Sequence, residues 1–436
     1  MKTNGSSDLP GLNLRSLLSY FPSGDAKLLL AYLGLCCFSL AILWSVTEGL
    51  RGPYEDFDPG VPKTIFYRQL VWVFVGWIVL AVASRLPLHH LENLAAPIYL
   101  GMLVMLVVVL FWGPAVSGAH RWLAFGPLRI QPSEVAKICF ILVMASLLSK
   151  YQGSRRQLAP TTLSLLLMAV PFFLVLWEPD LGTSLVFLAL WLGMIFWYGI
   201  SGVFLLVLLT AILSAVISFY SESIAHQRWF WGTYLLLLIG LLYWRRFRFQ
   251  ESAIIMLGNI FTGIGIPYLW VRLQPYQQAR IMSFFRPEED ALGSGYQAIQ
   301  SKVAIGSGGL FGTHYLQGTQ KGLAFLPERH TDFIFSVVGE ELGFAGAVVL
   351  LGLFLVIILR GLSLSLAAQR PYPSYVAMGV TVYFTFHVIV NVAITTGLLP
   401  VTGLPLPLIS YGGSNLLASS FLLGLLCNIG SRRFET

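Results

Sequence analysis

Charge is what this 436-residue sequence has least of: Asp, Glu, Lys and Arg make up 11% of it, against about 25% in a soluble domain. Apolar residues take 56% and the mean hydropathy is +0.75, so lipid rather than water is the solvent for most of the chain. That excludes a soluble enzyme, a nucleic-acid binder or a secreted disulfide scaffold as a reading of the whole sequence. Length alone would suggest roughly three soluble domains, a count the composition overrules. Cysteine is scarce too. Cys36, Cys37, Cys139 and Cys427 all fall inside apolar runs, with no CxxC or Cys/His cluster, so neither a zinc site nor a disulfide framework is indicated. No repeat of fixed period is visible, which leaves an inverted-repeat transporter without sequence support. The opening stretch MKTNGSSDLPGLNLRSLLSY lacks the apolar segment and cleavage site of a signal peptide, so the first apolar run reads as a retained anchor.

The apolar runs are present at membrane length. A bilayer core takes about 20 residues per helix, and that ruler gives about twelve spans. They fall near 27–48, 65–86, 91–113, 134–150, 159–178, 181–199, 201–219, 229–245, 253–271, 332–360, 374–397 and 412–430. The expected fold is an all-α polytopic membrane bundle. A tail (1–26) precedes seven spans (27–219), a further hairpin (220–271), a long outer loop (272–331) and a last section of three spans and a short tail (332–436). The formal charge of +7 is scattered over helix ends rather than gathered on one face, so no nucleic-acid partner is expected and the bases read as topology determinants. Arg85, Lys150, Arg155, Arg156, Arg245, Arg246 and Arg248 then mark the cytoplasmic side, with both termini there, and Glu55, Asp56, Glu178, Asp180, Glu288 and Glu289 the outer side.

A connection as long as 272–331 is usually functional. It holds the acids Glu288, Glu289, Asp290 and Glu328, and the bases Arg280, Arg286, Lys302, Lys321 and Arg329, with His314 and His330. Mixed charge facing a membrane suits an anionic, headgroup-linked substrate that needs proton transfer; a solvated loop of paired charges is the competing reading. The GSGGLFG run lacks the strand–loop–helix setting of a nucleotide site. The spacing of Tyr296, Ile299, Val303 and Ile305 predicts a short helix at the membrane interface. Asp180 and Asp332 each precede an apolar helix and read as N-caps. Arg68, Glu134, Lys137, Glu340 and Glu341 lie in or near apolar spans, where charge is costly unless paired or hydrated. Glu134 and Lys137, three residues apart, can satisfy each other or line a polar cavity. Glu340 and Glu341 point in different directions on a helix, so at most one should face such a cavity.

The strings RWLAFGPLRIQPSEVAK, WEPDLGTSL, DALGSGYQAIQSKVAIGSGGLFG, FLPERHTDFIFSVVGEELGFAG and GLPLPLISYGGSNLL resemble those of the shape, elongation, division and sporulation (SEDS) proteins, the RodA and FtsW family. The likeness runs from near Leu30 to Arg433, and FLPERHTDFIF and VAIGSGG are closer to RodA. The resemblance implies a ten-helix core with a long outer loop after the seventh helix. It implies a peptidoglycan glycosyltransferase of the bacterial cytoplasmic (inner) membrane, with its active site on the extracytoplasmic face. The substrates would be lipid II and a growing glycan on undecaprenyl pyrophosphate, the product a β-1,4-linked strand made during elongation, and the partner a class B penicillin-binding transpeptidase. Asp290 would be the catalytic residue, acting as general base. Glu134, Lys137, Arg121, Arg280, Gln300, Ser301, Lys302, Arg329 and His330 would contact substrate. A divalent cation, Mg or Mn, would assist the pyrophosphate leaving group, with no dedicated protein site in the sequence. This sequence departs from the family in the extra stretch 220–271, which as an even pair of helices preserves the sidedness of the downstream chain, and in Ala291, where the family usually has Pro. A lipid II flippase, an FtsW-like division polymerase and a scaffold for the transpeptidase are the rival readings. A carboxylate in the outer loop favours transfer over transport.

Overall fold

The computed structural model describes residues 25–48, 62–116, 119–125, 128–153, 158–199, 202–224, 227, 229–273, 275–286, 294–318 and 328–432. With no water in a bilayer core, backbone polar groups must be satisfied within each segment, and the apolar runs form helices. These are α1 (Ala26–Glu48), α2 (Thr64–Ala83), α3 (Leu88–Trp112), α4 (Pro132–Lys150), α5 (Leu158–Trp177) and α6 (Leu181–Tyr198). Next come α7 (Gly202–Phe219), α8 (Trp229–Trp244) and α9 (Phe249–Arg272), then two shorter helices, α10 (Pro275–Phe285) and α11 (Ser294–Ser307), in the long connection. α12 (Ile334–Glu341), α13 (Gly343–Ala367), α14 (Pro371–Thr395) and α15 (Gly413–Arg432) complete the bundle. Ten of the described helices are long and apolar enough to cross a bilayer, while Leu206–Glu222 and Trp229–Trp244 are shorter apolar runs. The expected twelve spans thus divide into ten long helices and two short ones.

α4 and α14 form the centre. α4 is buried on almost every side from Pro132 to Leu148, which is why its sequence has no polar face. α14 packs against α4, α6, α13 and α15, while α2 lies on α15 and α1 on α13. Pro132 opens α4 at a position where its missing N–H is harmless. Asp180 opens α6, its carboxylate accepting from the Thr183 amide at 3.0 Å, the N-cap expected of it.

Three features differ from the expectation. The single span at 332–360 is two helices, α12 and α13. Gly343 turns the chain between them at φ +64°, and a Cβ there would stand 2.3 Å from the Gly312 nitrogen. The amides of Phe344 and Ala345 donate to the carbonyls of Gly309 and Leu310, so the loop after α11 caps α13. The N-cap of α12 is Phe333, without a side-chain cap, so Asp332 does not take the role expected of it. Second, the connection between α3 and α4 contains two antiparallel ladders. β1 (Ala115–Val116) pairs with β2 (Ala119–His120), and β3 (Leu123–Phe125) with β4 (Leu128–Ile130).

Third, the hairpin expected over 220–271 packs with the helix before it. α7 packs mainly on α9 and α8, around a small separate cluster of Leu238, Leu242 and Ile255. Hydrogen bonds tie the unit in the manner of helices associating in lipid. The Ser214 hydroxyl donates to the Asn259 carbonyl at 2.8 Å, Ser218 to that of Gly263 at 2.6 Å, and Trp231 Nε1 to Ser214 Oγ at 2.9 Å. α7 and α9 so complete each other's polar groups across the boundary expected at residue 220.

Candidate functional site

The starts of α4, α6 and α15 and the end of α14 meet at one end of the bundle. The Gln131 amide N donates to Ser414 Oγ at 3.1 Å, and its side-chain Nε2 to Asp180 Oδ2 at 3.4 Å. One turn into α4 lies a closed ionic cluster. Lys137 Nζ is 2.8 Å from Glu134 Oε1, with side-chain exposures of 0% and 3%. Asn415 Nδ2 of α15 donates to Glu134 Oε2 at 3.4 Å, and Lys137 Nζ reaches His387 Nε2 of α14 at 3.4 Å. For Nε2 to accept from the ammonium, the ring proton must sit on Nδ1, which lies 3.3 Å from the Pro405 carbonyl. The Lys137 ammonium also stands 5.3 Å from the Tyr383 ring centroid, a cation–π contact in a desolvated setting. One turn on, Asn391 Nδ2 donates to the carbonyls of Asp332 and Leu404 at 2.9 and 2.8 Å. The cluster so joins the charged pair to the segment 400–411. None of His387, Asn391, Asn415 and Tyr383 was singled out from the sequence, although polar side chains inside apolar spans are the signal that finds them.

Arg121 lies towards the same end. Its Nε donates to the Glu178 carbonyl at 2.9 Å and a terminal nitrogen donates to the Pro179 carbonyl. Glu178 is 1% exposed, and neither carboxylate oxygen has a hydrogen-bond partner. Burial first, and then the nearby Asp180, push its carboxyl up to about 9, with Arg121 opposing. That environment favours the protonated form of Glu178.

α11 forms where the spacing of Tyr296, Ile299, Val303 and Ile305 predicts a helix, and it is pinned to the bundle. Ser301 is fully buried; its hydroxyl lies 2.5 Å from Ser336 Oγ of α12 and donates to the Thr395 carbonyl of α14 at 2.6 Å. Expected as a substrate contact, Ser301 spends its hydroxyl inside the fold. Gln300 is half-buried beside it and Lys302 is exposed, its Cε close over Gly397. His330 joins the segment 400–411 through its carbonyl, which accepts from the Tyr411 amide at 2.9 Å. Burial, aided by Arg329 and opposed by Glu328, holds the His330 imidazole below its ordinary value. Arg329 is 3% exposed.

Glu340 and Glu341 are both enclosed and point in different directions, as adjacent residues of a helix must. Glu341 accepts from Ser45 Oγ of α1 at 2.5 and 2.7 Å, and the Glu340 carboxylate lies against Gly318. The chain bends directly after them, so α1 covers one side and the loop after α11 the other. Arg68 is exposed in the first turns of α2. Asp290 lies outside the described residues, as do Glu288 and Glu289, and the side chain of Arg280 lies outside them too, its backbone forming part of α10.

The sequence profile of the FtsW/RodA/SpoVE cell cycle proteins matches residues 26–234 and 231–434. The chain is 35% identical over 410 residues to the peptidoglycan glycosyltransferase MrdB of Escherichia coli K12, covering 94% of each chain. It is 35% identical over 433 residues to the peptidoglycan glycosyltransferase RodA of Treponema pallidum, covering 94% of this chain and 98% of that one. A probable peptidoglycan glycosyltransferase FtsW of Trichlorobacter lovleyi is 33% identical over 410 residues, covering 93% of each. Among solved structures, a chain from a study of how a peptidoglycan synthase complex coordinates polymerization and crosslinking matches at TM-score 0.68 and 29% identity, covering 95% of this chain and 99% of that one. Thermus thermophilus RodA matches over the same shares at TM-score 0.60 and 26% identity. A profile that spans almost the whole sequence, with relatives above 30% identity end to end, places this multi-pass membrane chain in the FtsW/RodA/SpoVE (SEDS) family.

Proposed function

We propose that this peptidoglycan glycosyltransferase polymerises lipid II into β-1,4-linked glycan strands on the outer face of the bacterial cytoplasmic membrane, during elongation. The observation that carries the reading is its 35% identity to the MrdB transferase over 94% of both chains. The strings FLPERHTDFIF and VAIGSGG favour elongation over division. The arginines at the inner helix ends support cytoplasmic termini.

Asp290 takes the proton from the acceptor sugar's 4-hydroxyl as that oxygen attacks the anomeric carbon of the donor, and the undecaprenyl pyrophosphate departs. A hydroxyl is a poor nucleophile at neutral pH, and a positioned carboxylate contributes about 10²–10⁴-fold. An α-linked donor and a β-linked product require inversion, hence one base and no covalent enzyme intermediate. Pyrophosphate leaves without a second carboxylic acid, unlike the alcohol of a glycoside. α11 begins shortly after Asp290 in the chain, and its anchorage through Ser301 supports a fixed base. Arg121, Arg329 and His330, all near that end of the bundle, suit the pyrophosphate oxygens. A divalent cation on the pyrophosphate oxygens would neutralise charge on the leaving group. A class B penicillin-binding transpeptidase is the expected partner, in keeping with the similar chain solved as part of a synthase complex.

Purified protein supplied with lipid II, with and without the transpeptidase, tests the reading. Wild type should make strands, and Asp290→Asn should bind lipid II without making them. Near-normal synthesis by Asp290→Asn removes it as the base, and lipid II movement across vesicles without any synthesis would favour the flippase.

A further inference from the structure

At the opposite end of the bundle, the ends of α3, α4, α14 and α15 enclose a cavity of about 480 Å³. α14 starts there at Pro371 and meets Ser301 only at Thr395, the last of its 25 residues, a distance of about 37 Å along a helix. The wall combines apolar Leu88 and Ile429 with three cations, Lys150, Arg370 and Arg432, with His89, and with one acid, Glu92. Arg370 also lines an adjoining cavity of about 360 Å³. Glu92 Oε1 accepts from Ser149 Oγ at 3.0 Å. Tyr372 is the residue that the fold leaves incomplete. It lines the larger cavity, is 3% exposed, and its hydroxyl has no hydrogen-bond partner. A buried hydroxyl in that state costs free energy until a ligand or ordered water completes it.

We infer that this cavity binds the headgroup of an anionic glycerophospholipid from the adjoining leaflet, phosphatidylglycerol being the chemical class that fits. A phosphate diester can accept from Lys150, Arg370 and Arg432 together, which makes short charge-assisted contacts, and basic pockets between membrane helices recognise such headgroups. The Tyr372 hydroxyl donates to a phosphate or ester oxygen. Glu92 sets the selectivity, because its carboxylate repels a second negative charge but accepts from a glycerol hydroxyl. That disfavours phosphatidic acid and inorganic phosphate. A choline headgroup offers no hydroxyl and brings a cation beside three others. Leu88 and Ile429 receive the first acyl methylenes. The volume lies within the roughly 300–1,000 Å³ of small-ligand sites.

Native mass spectrometry of the full chain in detergent tests this with phosphatidylglycerol, phosphatidylcholine of the same acyl chains, and soluble glycerol 3-phosphate. Wild type should retain phosphatidylglycerol at least about tenfold better than phosphatidylcholine, and Lys150→Gln with Arg370→Gln should lower that retention by about tenfold or more. Tyr372→Phe keeps the folding test separate: it should weaken retention severalfold while leaving the lipid-free melting temperature unchanged or higher, since an unsatisfied hydroxyl is removed. Equal retention of the two lipids by wild type, or wild-type retention in Tyr372→Phe, overturns the site. Binding of glycerol 3-phosphate as tightly as the lipid would make it a soluble-anion site and overturn the lipid assignment.

Discussion

The Lys137 ammonium lies 2.8 Å from the Glu134 carboxylate, one turn along α4, and both side chains are withdrawn from solvent and lipid. Two charges taken into low dielectric recover their desolvation cost only when their other hydrogen bonds are also made. Asn415 and His387 make those bonds here, each at 3.4 Å. Lys137→Met should destabilise the protein by about 3–5 kcal/mol, since it leaves Glu134 as an uncompensated buried charge. The exchange Glu134→Lys with Lys137→Glu should recover most of that loss, because the charges still satisfy each other and Asn415 can present its unpartnered Oδ1 to the new ammonium. Thermal unfolding of the parent, the single variant and the exchange checks this. An exchange no more stable than Lys137→Met would mean that α14 and α15 fix the polarity of the pair.

Half of this site was legible in the sequence. Glu134 and Lys137 could be paired from their spacing of three, and the cap at Asp180 from its place before an apolar run. Their partners could not, because His387 and Asn415 lie 250 and 281 residues further along the chain and only tertiary packing brings them in. The break at Gly343 was hidden for a different reason. Apolar composition continues across it from α12 to α13, and hydropathy does not register a turn that a neighbouring loop stabilises. The β1–β2 and β3–β4 ladders have strands of two or three residues, too short for an alternating pattern. The packing of α7 on α9 was not legible either, because nothing in its composition distinguishes a helix of the main bundle from the partner of α9.

Gly308 holds the end of α11 against α12. A Cβ there would stand 1.9 Å from the Gly339 carbonyl oxygen, so Gly308→Ala must push the two helices apart and strain the Ser301 bonds to Ser336 and Thr395. The expected cost is about 1–3 kcal/mol, with loss of strand synthesis, because α11 fixes the chain just after Asp290. Gly306→Ala is the control. No atom lies within 4 Å of its added methyl, and alanine is the better helix former by about 1 kcal/mol. Melting temperature and strand yield for the pair check the prediction, and equal behaviour of the two variants would remove the close-packing argument.

Glu178 makes stability depend on pH. Its carboxyl rises from an ordinary 4.5 to about 9, so the folded protein favours the protonated form. That preference costs nothing below about pH 4.5, and stability is lost progressively as pH rises from there towards 9. At pH 7 the loss is on the order of 3 kcal/mol, at 1.36 kcal/mol per unit. Glu178→Gln cannot ionise, so the melting temperature of the variant minus that of the parent should climb steadily between pH 5 and pH 8. A constant cost from the buried amide shifts the whole curve but not its slope. A flat difference across that range would mean that Glu178 is hydrated and ionised.

The turn between α8 and α9 fixes the sidedness of the three-helix unit. From Lys150 at the end of α4, the chain passes through α5, α6, α7 and α8 before reaching Arg245, so four crossings return it to the same face. The weak step is length. α8 has 16 residues, about 24 Å of helix against a hydrocarbon core of about 30 Å, and it spans only if its ends anchor at the interfaces. They are built to do so: Trp229 begins it, and Trp244 ends it with the Arg245 guanidinium 5.5 Å from its ring, the aromatic and basic residues that sit at headgroup level. Three exposed arginines in 245–248 belong on the cytoplasmic side. Phe247 is a poor reporter, since it packs on the cluster of Leu238 and Leu242, and Arg246 stands at φ +54°. Arg245 is the better site. Arg245→Cys, with the exposed Cys37 replaced by Ala, should resist an impermeant maleimide in intact cells and react once the membrane is opened. Ready labelling from outside would mean that only one of α7 and α8 crosses.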